Sequence, residues 1–321
     1  MIKTSHVTLS MALAASLFGT SPASAQENLP PPQVAGVPIP PGQVEAALTG
    51  IDRIVEETMA DSGIPGVAIA VVHSGEVVYA EGFGIRQAGD PAPVTPDTVF
   101  QLASLSKPVG ASVVARAVGE GVVDWDTPVT TFLPWFALSD ARVTEMLTIA
   151  DLYSHRSGLP GHAGDDLEDL GYGRQAVLQR LRFLPLGAFR VDYAYTNFGL
   201  TAAAEAVAKA AGVDWAELSE TAIYAPLGMT NTSSRHTDFM ARENRAHGHV
   251  PRDGEWVAAF QRQPDGQSPA GGVSSSANDM AEWMLMMLGE GVWRGDRIVD
   301  ADALLAAVSP HSVPRPPATM D

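Results

Sequence analysis

The segment from Leu105 to Val123 constrains the fold most, because its side chains are apolar or small around nearly the whole circumference of a helix. A helix of this kind must be buried on several faces, so the rest of the chain has to pack around it. Pro108 lacks a backbone N–H and fits an α-helix only in its first turn. The sequence therefore predicts a buried helix that begins near Ser104.

The flanking segments predict an α+β fold, with an antiparallel sheet packed by helices. Apolar residues recur at helical spacing from Val44 to Met59. Two β-branched runs, Val67 to Val72 and Val77 to Tyr79, are joined by four turn-forming or polar residues and predict a hairpin. The region from about 127 to 272 contains short helical stretches and few strand signals, so we expect an inserted, mainly helical lobe.

A last helix is predicted from Asn278 to Leu288. One face of it carries large side chains, namely Met280, Trp283, Met284 and Met287. Such a stripe could line a cofactor, but contact with the protein core explains it more simply.

The first residues are typical of a secretory signal peptide. Lys3 precedes an apolar run from Val7 to Phe18, and the run is followed by Ala23-Ser24-Ala25. A membrane anchor is the alternative, but the run is shorter than the roughly 20 residues that a spanning helix needs. We expect residues 1–25 to be cleaved and the protein to be periplasmic or secreted, with no membrane span after cleavage.

Boundaries of the remaining regions follow from proline content. Residues 26–43 are rich in proline and predict an extended linker, residues 44–308 a single folded domain, and residues 309–321 an irregular tail. Aspartate and glutamate total 37 against 20 lysine and arginine residues, a formal charge of −17 that argues against nucleic acid or an acidic membrane as a partner. Cysteine is absent, which excludes disulfides and thiolate chemistry.

Ser104-Leu105-Ser106-Lys107 places a hydroxyl and an amine one helical turn apart, on the same face. A serine hydroxyl becomes a good nucleophile when a neighbouring base takes its proton. Burial near the positive end of a helix disfavours a charged lysine and so makes an amine a usable base. A four-residue pattern fixed at two positions also arises by chance, so this motif alone is suggestive. Its position at the start of an apolar helix strengthens it.

Tyr195-Thr196-Asn197 is a second candidate, located just before a predicted helix. A phenol can pass a proton between nucleophile and leaving group, and a carboxamide can contact both a lysine and a substrate carbonyl. Taken alone, an isolated tyrosine is more often a packed residue than a catalytic one.

In this order the motifs resemble the serine β-lactamase and penicillin-binding protein family, of which S-x-x-K is a signature. The likeness is closest to its class C-like branch of β-lactamases, D-aminopeptidases and family VIII esterases. It extends from about Val44 to Val308 and includes the segments 66–72, 95–100, 152–160, 226–230 and 269–273. The resemblance implies a β-lactamase/transpeptidase-like fold. It also implies that Ser104 is the acylated nucleophile, Lys107 its base partner, Tyr195 a proton shuttle and Asn197 a contact to lysine and substrate.

One expected motif is missing. The family carries K-T-G or H-x-G on a strand after the Y-x-N region, and neither follows Tyr195 here. His73-Ser74-Gly75 and His162-Ala163-Gly164 match the letters, but the first lies in the predicted hairpin turn and the second precedes Tyr195. We therefore expect a copy truncated at its C-terminus, in which the last strands of the sheet are absent and only the hairpin remains.

The sequence thus predicts an exported serine hydrolase that forms an acyl-enzyme on Ser104 and cleaves an amide, β-lactam or ester bond in a small-molecule or peptide substrate. The alternative is a non-catalytic penicillin-binding-like module, or an inactive fragment.

His247-Gly248-His249 has the spacing of a metal pair, but no acidic residue follows at a suitable distance, so no metal or organic cofactor is expected. Oligomeric state is left open.

Overall fold

The structure is a computed structural model that describes residues 40–259 and 261–312. The predicted signal peptide, residues 26–39 of the predicted linker and residues 313–321 of the predicted tail lie outside the described residues. None of the helices in the described part is both long and apolar enough to span a bilayer.

The helices occur along the whole described chain. They are α1 (Gln43–Leu48), α2 (Ile51–Ser62), α3 (Ser106–Gly119), α4 (Ala141–Met146), α5 (Ile149–Tyr153), α6 (Asp165–Asp169), α7 (Arg174–Arg180), α8 (Asn197–Ala211), α9 (Trp215–Ser219), α10 (His236–Ala241), α11 (Ser268–Gly271), α12 (Ala277–Leu288) and α13 (Ala301–Val308). The single helix expected over residues 44–59 was wrong, because two helices meet at Thr49 and Gly50. At this break the Thr49 hydroxyl donates to the carbonyl of Ala46 at 2.7 Å, and the Gly50 N–H donates to the carbonyl of Ala47 at 3.0 Å.

The strands are short and form separate antiparallel groups. They are β1 (Gly66–His73), β2 (Glu76–Gln87), β3 (Asp90–Pro93), β4 (Phe100–Gln101), β5 (His249–Arg252), β6 (Glu255–Ala258), β7 (Ser274–Ser275), β8 (Val292–Trp293) and β9 (Asp296–Arg297). The largest sheet has the order β1-β2-β3, and β1 is one of its two outer strands.

The predicted hairpin is confirmed as β1 and β2, which pair from Gly66 opposite Gly84 to His73 opposite Glu76. Ser74 and Gly75 form its turn at φ 51° and 80°, both in the left-handed region that a tight hairpin turn requires. The expectation that the sheet keeps only this hairpin was wrong. β2 continues well past the predicted end, and β3 adds a third strand along its other edge.

The region from 127 to 272 is mainly helical, with α4 to α11 inside it. It also contains the hairpin β5–β6, which was not predicted. Asp253 and Gly254 form its turn at φ 54° and 86°. An Asp-Gly pair is a strong hairpin signal, so the turn could have been found in the sequence.

The core is organised around α3, which packs against α8, α11 and α13. The buried side chains of α3 and α8 are mostly alanine, valine, glycine and serine, so the two helices approach closely. α12 packs on β1 and β2. Its residues Met280, Trp283 and Met287 contact the core and Met284 is half-buried, which supports the interpretation of this stripe as a packing face.

Candidate active site

Ser104 lies in a tight turn that leads into the buried helix. A short 3-10 helix, Ala103–Leu105, precedes α3, so the Ser104 side chain stays exposed while Ser106 and Lys107 are already buried. Ala103 has a φ of +47°. An alanine in the left-handed region costs about 1–2 kcal/mol, so neighbouring contacts must hold the turn in this conformation.

Those contacts come from Ser106 and the chain near Val273. The Ser106 hydroxyl donates to the Ala103 carbonyl at 2.6 Å and accepts from the Val273 N–H at 2.9 Å. The Leu102 N–H donates to the Val273 carbonyl at 2.9 Å. The turn that presents Ser104 is therefore bonded to a segment almost 170 residues further along the chain.

The Lys107 amine lies within hydrogen-bond distance of three oxygen atoms. Its Nζ lies 3.2 Å from Ser104 Oγ, 2.8 Å from Asn197 Oδ1 and 2.8 Å from the Ala270 carbonyl oxygen. The residue is 8% exposed. Burial lowers the pKa of the Lys107 amine, although the nearby Tyr195 and Asp165 partly oppose that change. At a given pH, a larger fraction of Lys107 is therefore in the neutral form than of a lysine at the surface.

Tyr195 completes the set of groups around the serine. Its hydroxyl oxygen lies 2.6 Å from Ser104 Oγ, and its ring centre lies 4.5 Å from Lys107 Nζ. The hydroxyl, phenol and amine thus share one cluster, in which a proton can move between neighbouring atoms. The four residues expected at the site, Ser104, Lys107, Tyr195 and Asn197, all lie in this cluster.

His155 supports the Tyr195 segment from behind. Its Nδ1 accepts from the Thr196 N–H at 3.2 Å, its carbonyl accepts from the Ala194 N–H at 2.9 Å, and its ring centre is 4.8 Å from that of Tyr195. Burial, and secondarily the charge of Lys107, lowers the pKa of His155 to about 4. His155 is therefore neutral at pH 7, with the proton on Nε2 because Nδ1 is an acceptor.

A buried carboxylate fixes the loop that carries His155. Asp151 is fully buried and accepts from Arg156 Nε at 2.8 Å and Arg190 Nη2 at 2.9 Å. It also closes a capping box with Thr148 at the start of α5. Burial alone would raise the pKa of Asp151, but the hydrogen bonds from Arg190, Thr148 and Arg156 outweigh it and hold this pKa below its usual value.

Sequence reasoning assigned no role to His155, Asp151 or the carbonyl of Ala270. His155 and Ala270 both lie in segments that carried the family resemblance. The sequence does not show, however, which backbone carbonyl accepts a hydrogen bond from a lysine. Asp151 was identifiable in principle, since Thr148 and Asp151 have the spacing of a capping box.

The two H-x-G segments before Tyr195 differ in position. His73 is the last residue of β1, and Ser74 and Gly75 form the β1–β2 turn, so this segment lies in the hairpin as expected. His162 lies beside the site, where its backbone N–H donates to the Tyr195 carbonyl at 2.8 Å, but it belongs to a loop and not to a strand.

The histidine pair near residue 248 has another use for one of its rings. His249 Nε2 accepts from the Ala88 N–H at 2.9 Å. Among the described residues, no group of three or more histidine, aspartate or glutamate side chains is arranged to hold a metal ion.

The fold matches solved structures of penicillin-recognising proteins. An octameric penicillin-binding protein homologue from Pyrococcus abyssi superimposes with a TM-score of 0.70 at 25% identity, covering 80% of this chain and 59% of that one. A class C beta lactamase from Rhodobacter sphaeroides gives a TM-score of 0.63 at 27% identity, covering 80% and 68%. The α+β fold is thus that of the β-lactamases and penicillin-binding proteins, as predicted.

Sequence comparison gives the same family. The family model described as Beta-lactamase matches residues 51–320, and the chain belongs to this family. It is 31% identical over 249 residues to unguisins hydrolase ungD of Aspergillus violaceofuscus, covering 73% of this chain and 44% of that protein. Penicillin-binding protein 4 of Amycolatopsis lactamdurans is 29% identical over 74% of this chain and 63% of its own length. Esterase EstB of Burkholderia gladioli is 31% identical over 56% of this chain and 49% of its own length. The chain spans about half the length of such relatives.

Proposed function

We propose that this protein is a serine hydrolase that forms an acyl-enzyme on Ser104. The observation that carries the proposal is the position of Ser104 Oγ, 2.6 Å from the Tyr195 hydroxyl and 3.2 Å from Lys107 Nζ. A nucleophile within hydrogen-bond reach of its base, with the base held by further groups, is the arrangement that covalent catalysis requires.

In the first half of the reaction Ser104 Oγ attacks the carbonyl carbon of an amide, lactam or ester. The hydroxyl proton passes to the neutral Lys107 amine, either directly or through the Tyr195 phenol. The tetrahedral intermediate then collapses, the bond from carbon to the leaving nitrogen or oxygen breaks, and the proton held by Lys107 passes to the leaving group through the Tyr195 phenol, which leaves both residues as they were at the start. The product of this step is an ester between the substrate acyl group and Ser104.

In the second half water attacks that ester. The same groups take a proton from the water, the bond between the acyl carbon and Ser104 Oγ breaks, and Ser104 recovers its proton. Asn197 contributes by holding Lys107 through the 2.8 Å contact to its Oδ1. We also assign its carboxamide a contact with the substrate, as the family resemblance implies.

Substrate choice remains broad within this proposal. The matched relatives include a hydrolase, a penicillin-binding protein and an esterase. Nothing in the motifs marks specialisation for lactams, so we favour an esterase-like or peptidase-like activity over a dedicated β-lactamase. We also propose export to the periplasm or medium, supported by the pattern of residues 1–25.

A non-catalytic binding module is the second candidate, favoured by one observation. In the given sequence no K-T-G or H-x-G follows Tyr195, and in the resembled family that motif lines the wall of the site opposite the tyrosine. A second oxyanion donor is expected from that wall, and loss of one such donor typically costs about 10² to 10³ in turnover.

Covalent labelling separates the two candidates. The purified chain is incubated with an activated phosphonate ester or a fluorescent penicillin, and adducts are counted by intact mass. We expect one adduct in the wild type and in Ser139→Ala, which removes an exposed serine elsewhere, and none in Ser104→Ala. Absence of any adduct in the wild type would favour the binding module. An adduct that persists in Ser104→Ala would contradict the assigned nucleophile.

A further inference from the structure

The carboxamide of Asn197 bridges two groups of opposite charge. Its Oδ1 accepts from Lys107 Nζ at 2.8 Å, and its Nδ2 donates to Asp165 Oδ2 at 2.9 Å. A carboxylate only accepts hydrogen bonds, and a protonated lysine only donates them. The amide can therefore satisfy both neighbours in one orientation, with its nitrogen toward Asp165 and its oxygen toward Lys107.

We propose that Asp165 is a positioning residue of the site, whose carboxylate fixes Asn197 with its carbonyl end toward Lys107. This inference rests on the proposed function, since it assigns Asp165 a role in preparing Lys107 to act on Ser104. Asp165 is the first residue of α6, and its side-chain hydrogen bonds in the described structure go to Asn197 and His162.

Asp165 is itself held in place. Its Oδ2 lies 3.0 Å from His162 Nδ1, and its backbone N–H donates to the His162 carbonyl at 3.1 Å. The His162 N–H in turn donates to the Tyr195 carbonyl at 2.8 Å. The loop from 162 to 165 is therefore bonded to the catalytic segment at two points, Tyr195 through the backbone and Asn197 through the side chain.

The charge of Asp165 also acts on Lys107. The titratable side chains that act electrostatically on Lys107, or on which it acts, are Tyr195, Asp165 and His155, and Tyr153, Tyr193 and His311 line the same cavity as Lys107. Burial lowers the pKa of the Lys107 amine, while Tyr195 and Asp165 raise it. His155 is neutral near pH 7, as described above. Removal of the Asp165 charge should therefore lower the pKa of Lys107 further and shift the acid limb of acylation to lower pH.

Two substitutions separate the hydrogen bond from the charge. Asp165→Asn keeps an oxygen that can accept from Asn197 and removes the charge. Asp165→Leu removes both, and the freed amide can then rotate its nitrogen toward Lys107. Asp166→Asn is the matched control, because Asp166 is the next residue of the same helix, is exposed and makes the same change in net charge.

The first readout is the titration of Lys107, which requires no catalysis. The chain has only three lysines, so Lys107 can be followed by NMR after ¹³C labelling of lysine and assigned with Lys107→Met. We expect its midpoint to fall in both Asp165 variants and to stay unchanged in Asp166→Asn. The second readout is the rate of phosphonate labelling against pH. At high pH, where the labelling rate reaches a plateau, we expect the rate for Asp165→Asn to be within about threefold of the wild type. We expect the plateau rate for Asp165→Leu to be about tenfold lower.

Equal behaviour of Asp165→Asn, Asp165→Leu and Asp166→Asn in both readouts, with the wild type labelled, would overturn this inference alone. If the wild type is not labelled but the Lys107 midpoint still depends on Asp165, the proposed function fails and the relation between Asp165 and Lys107 stands. Circular dichroism checks folding of each variant. If Asp165→Leu does not fold, the titration and pH profile of Asp165→Asn decide the charge effect.

Discussion

The hydroxyl oxygen of Tyr195 lies 2.6 Å from Oγ of Ser104, although 91 residues separate them in the chain. One belongs to the turn before α3 and the other to the segment before α8. Because α3 and α8 pack directly against each other, their N-terminal ends bring these two groups together.

Tyr195→Phe should slow labelling of Ser104 by at least about 100-fold, because it removes the proton-transfer group and leaves the ring packed on His155. The measurement is the pseudo-first-order rate of phosphonate labelling at saturating reagent. Tyr193→Phe is a control, since Tyr193 is more exposed and makes no hydrogen bond to Ser104 in the described structure. A change of less than threefold in Tyr195→Phe would remove Tyr195 from the mechanism.

Labelling should rise with pH along a limb that reports deprotonation of Lys107. Burial lowers the pKa of this amine, so we expect the midpoint of the limb below that of a free lysine, and no such limb in Lys107→Met. The neutral form increases as pH rises, which sets the sign. A rate that is flat from pH 6 to pH 10 would contradict a basic role for the amine.

His155 should make the folded state sensitive to mild acid. Its pKa falls from 6.5 in the unfolded chain to about 4 in the fold, so the unfolded chain binds a proton first as pH drops. The contribution of His155 to the free energy of unfolding is present above pH 6.5 and is lost as pH falls toward 4. The loss between pH 7.5 and pH 5 is about 2 kcal/mol.

The test for His155 is urea unfolding at both pH values. His155→Asn supplies an oxygen to accept from the Thr196 N–H and does not titrate. Between pH 7.5 and pH 5 the free energy of unfolding should fall by about 2 kcal/mol less in this variant than in the wild type. Equal losses in the two proteins would show that another group controls the acid limb.

Asp151→Ala should destabilise the fold by about 2–4 kcal/mol, because it leaves Arg156 and Arg190 without their shared carboxylate and removes the capping box of α5. Glu57→Ala is the comparison, since it breaks an exposed ion pair with Arg53 and should cost no more than about 0.5 kcal/mol. Urea unfolding at pH 7.5 measures both. Similar small decreases in the free energy of unfolding for both variants would mean that Asp151 does not stabilise the loop that carries His155.

The buried helix and the hairpin could be predicted because their signals are local: an apolar circumference around α3 and β-branched runs on either side of a turn. The clustering of Ser104, Lys107, Tyr195 and Asn197 was expected from the family resemblance, since the spacing of 91 residues carries no geometric information by itself. The break between α1 and α2 falls at Thr49 and Gly50, a local feature that the helical period does not register. Asp165 could not be found because its importance depends on the orientation of Asn197, a purely spatial property.

The small side chains between α3 and α8 also limit what this scaffold can tolerate. A bulkier group at an alanine in that contact would push the helices apart, and with them the oxygen of residue 104 and the phenol. A displacement near 1 Å at reacting atoms can cost about two orders of magnitude in rate. Buried alanines that touch no reacting group therefore help to fix the distance between Ser104 and Tyr195, and in the proposed mechanism a larger residue there should slow turnover as well as strain the core.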